Sequence, residues 1–586
     1  METPENVTDA RMTARVSNAE IADKFERLAD LLELQDDNPF RVRAYRNAAR
    51  VIEGLPRPLA EMLAAGEDLD ELPGIGAAIA EKIATIVKTG KLPALAEAAK
   101  TTPLVLTDLM RIPGLGPKRV RELYETLDVK SAADITRAAK SGELAQLPGF
   151  GEKLAGKIAD AVAHLSPEQK RFRLADAEKL AAPLVEYLKG LAGVKRVVVA
   201  GSLRRRRETV GDIDILVTAG RGAGILDKLK RFDGIRRVVS SGDTRATVIV
   251  AMNLQVDVRV VPEASFGAAL YYFTGSKAHN VAVRRIAQGK GLKLNEYGLY
   301  RGDTRIAGKS EDEVAKKLGL AWIPPELRED AGEIEAAAHG RLPELVTLEA
   351  LRGDLHSHTT ASDGHASLRE MAEAAREQGY AYLAVTDHTR STRIAHGLDP
   401  KRLSRQFAEI DALNETFKGF RLLKSAETDI LEDGSLDLPD EVLAEMDFVL
   451  GTVHAHFELP AARQTQRLLK AFDNPYLSGL AHPTARQIGE REPIRLDFDR
   501  VCEAAAERGI FLEVNGQPAR LDLDASRCRR ATELGVKLAI SSDSHSAAGL
   551  ETIRFGVDQA RRGWVGKKDV VNTRSLRSLR GILRRP

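Results

Sequence analysis

The chain opens on a polar stretch to about Val16, read as a mobile tail, after which Asn18–Leu34 and Phe40–Glu53 place apolar residues at helical spacing. A proline-glycine signal then recurs three times, as Leu72-Pro73-Gly74-Ile75-Gly76, Ile112-Pro113-Gly114-Leu115-Gly116 and Leu147-Pro148-Gly149-Phe150-Gly151, each leading into an Ala/Lys/Leu helical pattern. Between Val194 and Pro262 the pattern changes to Val/Ile runs broken by short turns. This predicts a β-sheet with a hairpin near Ala251-Met252-Asn253, in a separate α+β unit. Prolines, a charged cluster and the run Ala336 to Ala338 mark Ile323–Leu345 as an interdomain connection. From Leu351 to His545 seven short apolar runs end in polar residues and are separated by helical stretches. That is the β/α alternation of a barrel, whose chemistry gathers at the C-terminal ends of its strands.

Composition narrows the classes. A chain of 586 residues exceeds what one hydrophobic core organises, and 43% apolar with 29% charged residues is ordinary for folded domains and far from a disordered composition. No window approaches the roughly 18 apolar residues of a membrane span, and the first residues lack the apolar centre of a secretory signal, so a cytoplasmic protein is expected. Two cysteines, Cys502 and Cys528, exclude a disulfide scaffold and a thiolate zinc cluster. Lys+Arg 87 against Asp+Glu 85 leaves +2, so affinity for nucleic acid has to come from local patches such as Arg204 to Arg207. The basic tail from Arg561 reads as solvated surface charge.

Three places carry chemistry. In the repeated turns, Gly74, Gly76, Gly114, Gly116, Gly149 and Gly151 supply positive φ and bare N–H groups that can face a phosphate at the start of the next helix, contacts that read backbone rather than sequence. In the sheet, alternation puts Asp212 and Asp214 on one face of a strand, and Asp257 on the opposite face of its own strand from Val256 and Val258. If these strands are neighbours, three carboxylates converge; they would repel unless cations neutralise them, and two Mg²⁺ about 3.5–4 Å apart serve in-line phosphoryl transfer. In the last region, nine of the 12 histidines follow Leu351. His356, His358, His388, His454, His482 and His545 end successive strands beside Asp363, Glu427 and Asp543, a set untenable without metal and suited to Zn²⁺, Mn²⁺ or Fe²⁺.

These motifs resemble two known families. The first two hairpins sit in the order of the lyase and fingers regions of the polymerase beta-like, family X DNA polymerases, and the third is an addition. Asp212, Asp214 and Asp257 with Tyr272-Phe273-Thr274-Gly275-Ser276 resemble the palm and thumb of that family. The resemblance implies a Mg²⁺ or Mn²⁺ polymerase site in which Gly201, Ser202, Arg205, Gly211 and Gly275 hold the incoming triphosphate. Tyr272 and Phe273 would pack on its sugar, with Asn280 and Arg284 on the minor-groove side of the new pair. It also implies that Tyr45 and Lys82 match the residues removing a 5′-deoxyribose phosphate, Lys82 forming a Schiff base, although Phe40 and Ala78 depart from the family pattern, as does Val281 where a template-stacking lysine is usual. The C-terminal set resembles the polymerase and histidinol phosphatase (PHP) domain, a distorted (β/α)7 barrel holding up to three ions, with Glu427 as the implied bridging carboxylate. Asn515 and Arg520 are further phosphate-site candidates, and His396 and His456 are either supporting groups or plain surface.

The expectation is therefore a multidomain chain. It comprises a tail (1–16), a helical hairpin domain (17–98), a fingers-type domain with two hairpins (99–180), a palm (181–262), a thumb (263–325), a linker (326–350) and the barrel (351–586). The implied partners are gapped or nicked DNA and deoxynucleoside triphosphates, met by a monomer, with gap filling of the base excision type and a metal-dependent 3′–5′ exonuclease or 3′-end phosphoesterase. A hydrolase with an inactive palm and a DNA-binding scaffold are the competing classes.

Overall fold

The computed structural model describes residues 18–583 apart from 54, 56–58, 73, 111–114, 128, 130–133, 136, 139–140, 148–149, 153–154, 156–157, 159–170 and 221–223. The expected tail, Gly114 and Gly149 lie outside the described residues. The chain divides between Lys170 and Arg171 into two compact units.

The first unit is helical. Asn18–Leu34 and Pro39–Glu53 bury their apolar stripes against one another, with the Phe25 and Tyr45 rings stacked at 5.8 Å. At the first hairpin the Ile75 N–H donates to the Leu72 carbonyl at 2.9 Å, and Gly74 takes φ +87°. A Cβ there would come within 2.5 Å of the Asn47 amide nitrogen, so the turn requires glycine twice over, for its backbone angle and for space. Gly76, extended at φ −94° rather than at the expected positive φ, caps the helix Ala77–Thr89, whose first turn carries no acidic residue. Gly116 leads into Pro117–Leu127 with the same absence, and Gly151 lies at the third turn.

The second unit begins at Arg171, earlier than the palm start expected at Ala181, because Phe172–Arg173 pairs antiparallel with Thr209–Val210 and Leu174–Gly190 packs on the sheet. The sheet runs in the order Val194–Val199, Asp212–Ala219, Gln255–Val260, Arg245–Ile249, Arg237–Ser241. Only the central pair, Asp212–Ala219 with Gln255–Val260, is parallel. The expected hairpin turns through Ala251–Asn253. Helices Phe266–Thr274 and Lys277–Gly289, three short antiparallel strands and Glu311–Leu318 follow. Residues 326–350 are not an open linker. Leu327, Ala337 and Leu345 share a core with Val314 and Leu318, and the side chain of Arg328 is fully buried.

Seven parallel strands form the C-terminal region: Gly353–Asp354, Tyr382–Val385, a third in two pieces (Arg421–Lys424 and Glu427–Asp429), Val449–Thr452, Leu477–Leu480, Phe511–Asn515 and Leu538–Ser541. The break at Ser425 and Ala426 lets the third strand pair with the second through its first piece and with the fourth through its second. Parallel bridges join the two resulting sheets at both margins, His388 to Glu427 and Ser357 to Ser544. The buried Asp354 carboxylate reinforces the second margin by accepting the N–H groups of His356 and Ser542 at 3.1 Å. Among the described residues no helix is long and apolar enough to cross a membrane.

Candidate active sites

The parallel register sets Asp214 directly opposite Asp257, with Asp212 two residues earlier on the same face, so the palm carboxylates gather as the alternation requires. Asp257 is buried, and its oxygens accept from Arg245 Nη2 at 3.0 and 3.1 Å and from Thr247 Oγ1. Burial first, and the charges of Asp212 and Asp257 second, push Asp214 up to about 7, while burial and Asp257 raise Asp212. A carboxylate half-ready to take a proton at neutral pH is a site that gains from a divalent cation. Gly201 opens the neighbouring turn at φ +64°, where a Cβ would sit 2.8 Å from an Asp214 oxygen, so the turn can approach that carboxylate only as glycine.

Beside the carboxylates, Arg205 Nη1 donates to the Thr274 carbonyl at 2.6 Å, next to Gly275. Asn280 Nδ2 donates to the Tyr272 carbonyl at 2.6 Å, the Arg284 guanidinium lies 4.9 Å over the Tyr272 ring, and Arg259 lies 4.1 Å over Phe273. Arg205 thus lies beside the turn at Gly275, and Asn280 and Arg284 are packed on Tyr272. The arginine run is not a free basic patch. Arg204 makes a bidentate pair with Glu311 at 2.8 Å, and Arg206 pairs with Glu178 and Asp558. Only the start of the tail departs from the solvated reading: Arg561 pairs with Glu326 at 2.8 Å and Arg562 with Glu329 at 3.2 Å, whereas Lys567, Lys568, Arg577 and Arg580 are exposed.

In the barrel region the six histidines and Asp543 follow the strands, Glu427 opens the second piece of the third strand, and Asp363 lies in the loop after the first. Glu427 is the hub. Its Oε2 lies 3.0 Å from His388 Nδ1 and 3.5 Å from His356 Nε2; its Oε1 lies 2.8 Å from His482 Nε2 and 3.3 Å from His454 Nε2. Asp543 Oδ1 is 3.2 Å from His358 Nε2, and Asp363 is 3.5 Å from both His388 and His545. Three sets each bring their donor atoms within 4.8 Å of one another: His358, Asp363, His388 and His545; His356, His358 and Asp543; His388, Glu427 and His454. His482 belongs to none of these sets but meets Glu427.

The donors fit bound cations. Both Glu427 oxygens and the Nδ1 atoms of His358, His388 and His482 are buried without a hydrogen bond, a cost that coordination would remove. Burial opposes protonation of His388, but Glu427 and Asp363 outweigh it and push that imidazole up to about 10. Burial likewise opposes ionisation of Glu427, and the imidazoles of His454, His388 and His356 hold it far below the carboxylate range. Loading the site with cations must therefore displace protons.

Supporting groups escaped the sequence reading. Glu513 accepts from His356 Nδ1 at 2.7 Å and from the His482 N–H at 2.6 Å; Asp429 lies 3.2 Å from His454 Nδ1; Asp387 accepts from the Thr359 N–H at 2.7 Å. Glu513 and Asp429 can thereby orient imidazoles for metal, whereas Asp387 holds the Thr359 loop. The signal for Glu513 was available, since it shares a strand face with Asn515. Asn515 Nδ2 donates to Asp543 at 3.0 Å and Arg520 Nε lies 3.8 Å from it, so both sit at the site, whereas His396 and His456 are exposed.

A two-carboxylate strand beside a third aspartate, followed by an aromatic-lined helix pair and a histidine-rich parallel barrel, defines a nucleotidyltransferase fused to a phosphoesterase. Residues 16–92 match a helix-hairpin-helix domain, 105–163 a SAM-like helix-hairpin-helix tandem, 269–329 the DNA polymerase beta thumb and 354–516 the PHP domain. The chain belongs to the family X DNA polymerases that carry a C-terminal PHP domain. DNA polymerase/3′-5′ exonuclease PolX of Bacillus subtilis (strain 168) is 40% identical over 564 residues, 96% of this chain and 98% of that protein. A probable phosphatase of Acetivibrio thermocellus is 33% identical over 205 residues, 33% of this chain and 78% of that protein. A probable phosphatase of Caldanaerobacter subterraneus is 31% identical over the same number of residues.

Proposed function

We propose that the protein extends a DNA primer across short gaps during repair, of the base excision type, and that its PHP region trims 3′ ends as a metal-dependent 3′–5′ exonuclease or phosphoesterase. The observation that carries the first part is the register of Asp214 against Asp257 with Asp212 on the same face. Those three carboxylates would hold Mg²⁺ or Mn²⁺, which when bound lowers the pKa of the primer hydroxyl and screens the triphosphate. Ser202 and Arg205 grip the triphosphate, the Tyr272 and Phe273 rings support its sugar, and Asn280 and Arg284 face the minor groove. The hairpin glycines, with no acidic residue in the first turn of the helices after Gly76 and Gly116, grip the DNA backbone.

In the PHP region Glu427, with His356, His358, Asp363, His388, His454, His482, Asp543 and His545, would hold Zn²⁺, Mn²⁺ or Fe²⁺. When bound, such ions would supply hydroxide near neutral pH and polarise a phosphate. Glu513 and Asp429 fix the imidazole orientations that the ions require. The test of the polymerase part is Asp257→Asn, which keeps shape and removes a ligand charge. Single-nucleotide addition to a gapped primer should fall by several orders of magnitude while DNA binding persists. Near-normal addition by Asp257→Asn would end the assignment.

A further inference from the structure

Glu329 sits where the palm, the thumb and the PHP region meet. Its Oε1 accepts from Arg205 Nε at 3.1 Å and from Arg562 Nη1 at 3.2 Å, and Arg207 Nη1 lies 3.9 Å away. Arg562 ends the PHP-region helix Ile553–Arg562, and the same Nη1 donates to the Arg205 carbonyl at 2.8 Å. The acid is pinned from both sides. The carbonyl of buried Arg328 accepts from the Ser276 N–H at 3.0 Å, and the Asp330 and Ala331 N–H groups donate to Glu333, whose carboxylate meets His279 Nδ1 at 2.6 Å. Burial would raise Glu329, but Arg562, Arg205 and Arg207 hold it down at about 2, so it is ionised at neutral pH.

One fixed carboxylate is thus shared among three guanidinium groups, and one of these is read above as a triphosphate ligand. Glu329 and a triphosphate are rival acceptors for Arg205, since both offer charged oxygens to the same planar fork. How firmly Glu329 retains Arg205 depends on how much of its charge Arg562 neutralises. We propose that Glu329 and Arg562 are positioning residues for nucleotide binding, through which the PHP region sets the triphosphate affinity of the polymerase site. The proposal rests on the reading of Arg205 as a triphosphate ligand.

Two substitutions should act in opposite directions. Glu329→Gln removes the rival charge and frees Arg205, so the KM for the incoming nucleotide on gapped DNA falls. Arg562→Ala leaves Glu329 to Arg205 and Arg207, so that KM rises. Each shift should be about five-fold, the lower end of ordinary site-to-site coupling, with kcat changed much less. Arg562→Lys, which keeps the charge, should restore most of the affinity. The full-length protein is used throughout, and retained 3′-end degradation by the Arg562 variants reports that the PHP region is folded. KM values that rise alike in Glu329→Gln and Arg562→Ala mean a merely structural joint and overturn the proposal, as do unchanged values in both. Arg205→Ala is the separate control: a nucleotide KM unaltered by it overturns the triphosphate reading itself.

Discussion

The Lys82 ammonium donates to the Ala78 carbonyl at 3.0 Å, one turn back along its own helix, while Tyr45 is packed into the core against Phe25. For a Schiff base the amine must leave that carbonyl and attack a sugar aldehyde as the neutral form. The lyase reading expects borohydride to trap the protein on an incised abasic site, and Lys82→Ala to remove the trapped band. Undiminished trapping in Lys82→Ala would move the chemistry to another amine. Single residues were legible when a period or a neighbour announced them: Asp212 and Asp214 by strand alternation, and His356 and His358 by their place after a strand. Asp429 was not, because a carboxylate that orients an imidazole is recognisable only once another strand brings the imidazole beside it, and Glu513 was announced only by the strand face it shares with Asn515.

The helix Glu311–Leu318 shows what an element contributes beyond its own propensity. Its first residue receives both Arg204 nitrogens and Arg328 Nη1, all at 2.8 Å, and so ties the palm turn to the segment after the thumb. Burial would raise Glu311, but the two guanidinium groups hold it at about 2 against an ordinary 4.5. A depressed carboxylate stabilises the fold above its unfolded pKa and loses that contribution as the pH falls through the folded value, here from about pH 5 down to about pH 2. The contribution is about 3 kcal/mol at pH 7. Denaturant unfolding should therefore show Glu311→Gln well below the wild type at pH 7, with the gap shrinking by more than half at pH 3. An equal gap at both pH values would show that the pair is not the source. The hairpin at Ala251–Asn253 and the strand alternation were readable because they are local. The strand Phe172–Arg173 and the folding of 326–350 onto the thumb were not, since each depends on a partner distant in sequence.

At the scale of the whole molecule, two candidate metal-ligand constellations lie in one compact unit, on different sheets, with ion pairs joining the regions that carry them. Arg206 reaches Asp558, Arg554 reaches Glu178 at 2.7 Å, and Arg486 reaches Glu208 at 2.7 Å. From the sequence the run Arg204 to Arg207 reads as a nucleic-acid patch, because charge alone does not say whether the partner is a phosphate or a carboxylate of another domain. The central claim is that the two constellations run separate chemistries. Its most direct measurement follows primer extension and Mn²⁺-dependent 3′-end degradation side by side in His356→Ala plus His358→Ala and in Asp212→Ala plus Asp214→Ala. The account predicts that the histidine pair loses degradation and keeps extension, and that the aspartate pair does the reverse. Degradation that survives loss of both histidines, with contaminating nucleases excluded, or extension that survives loss of both aspartates, would contradict it.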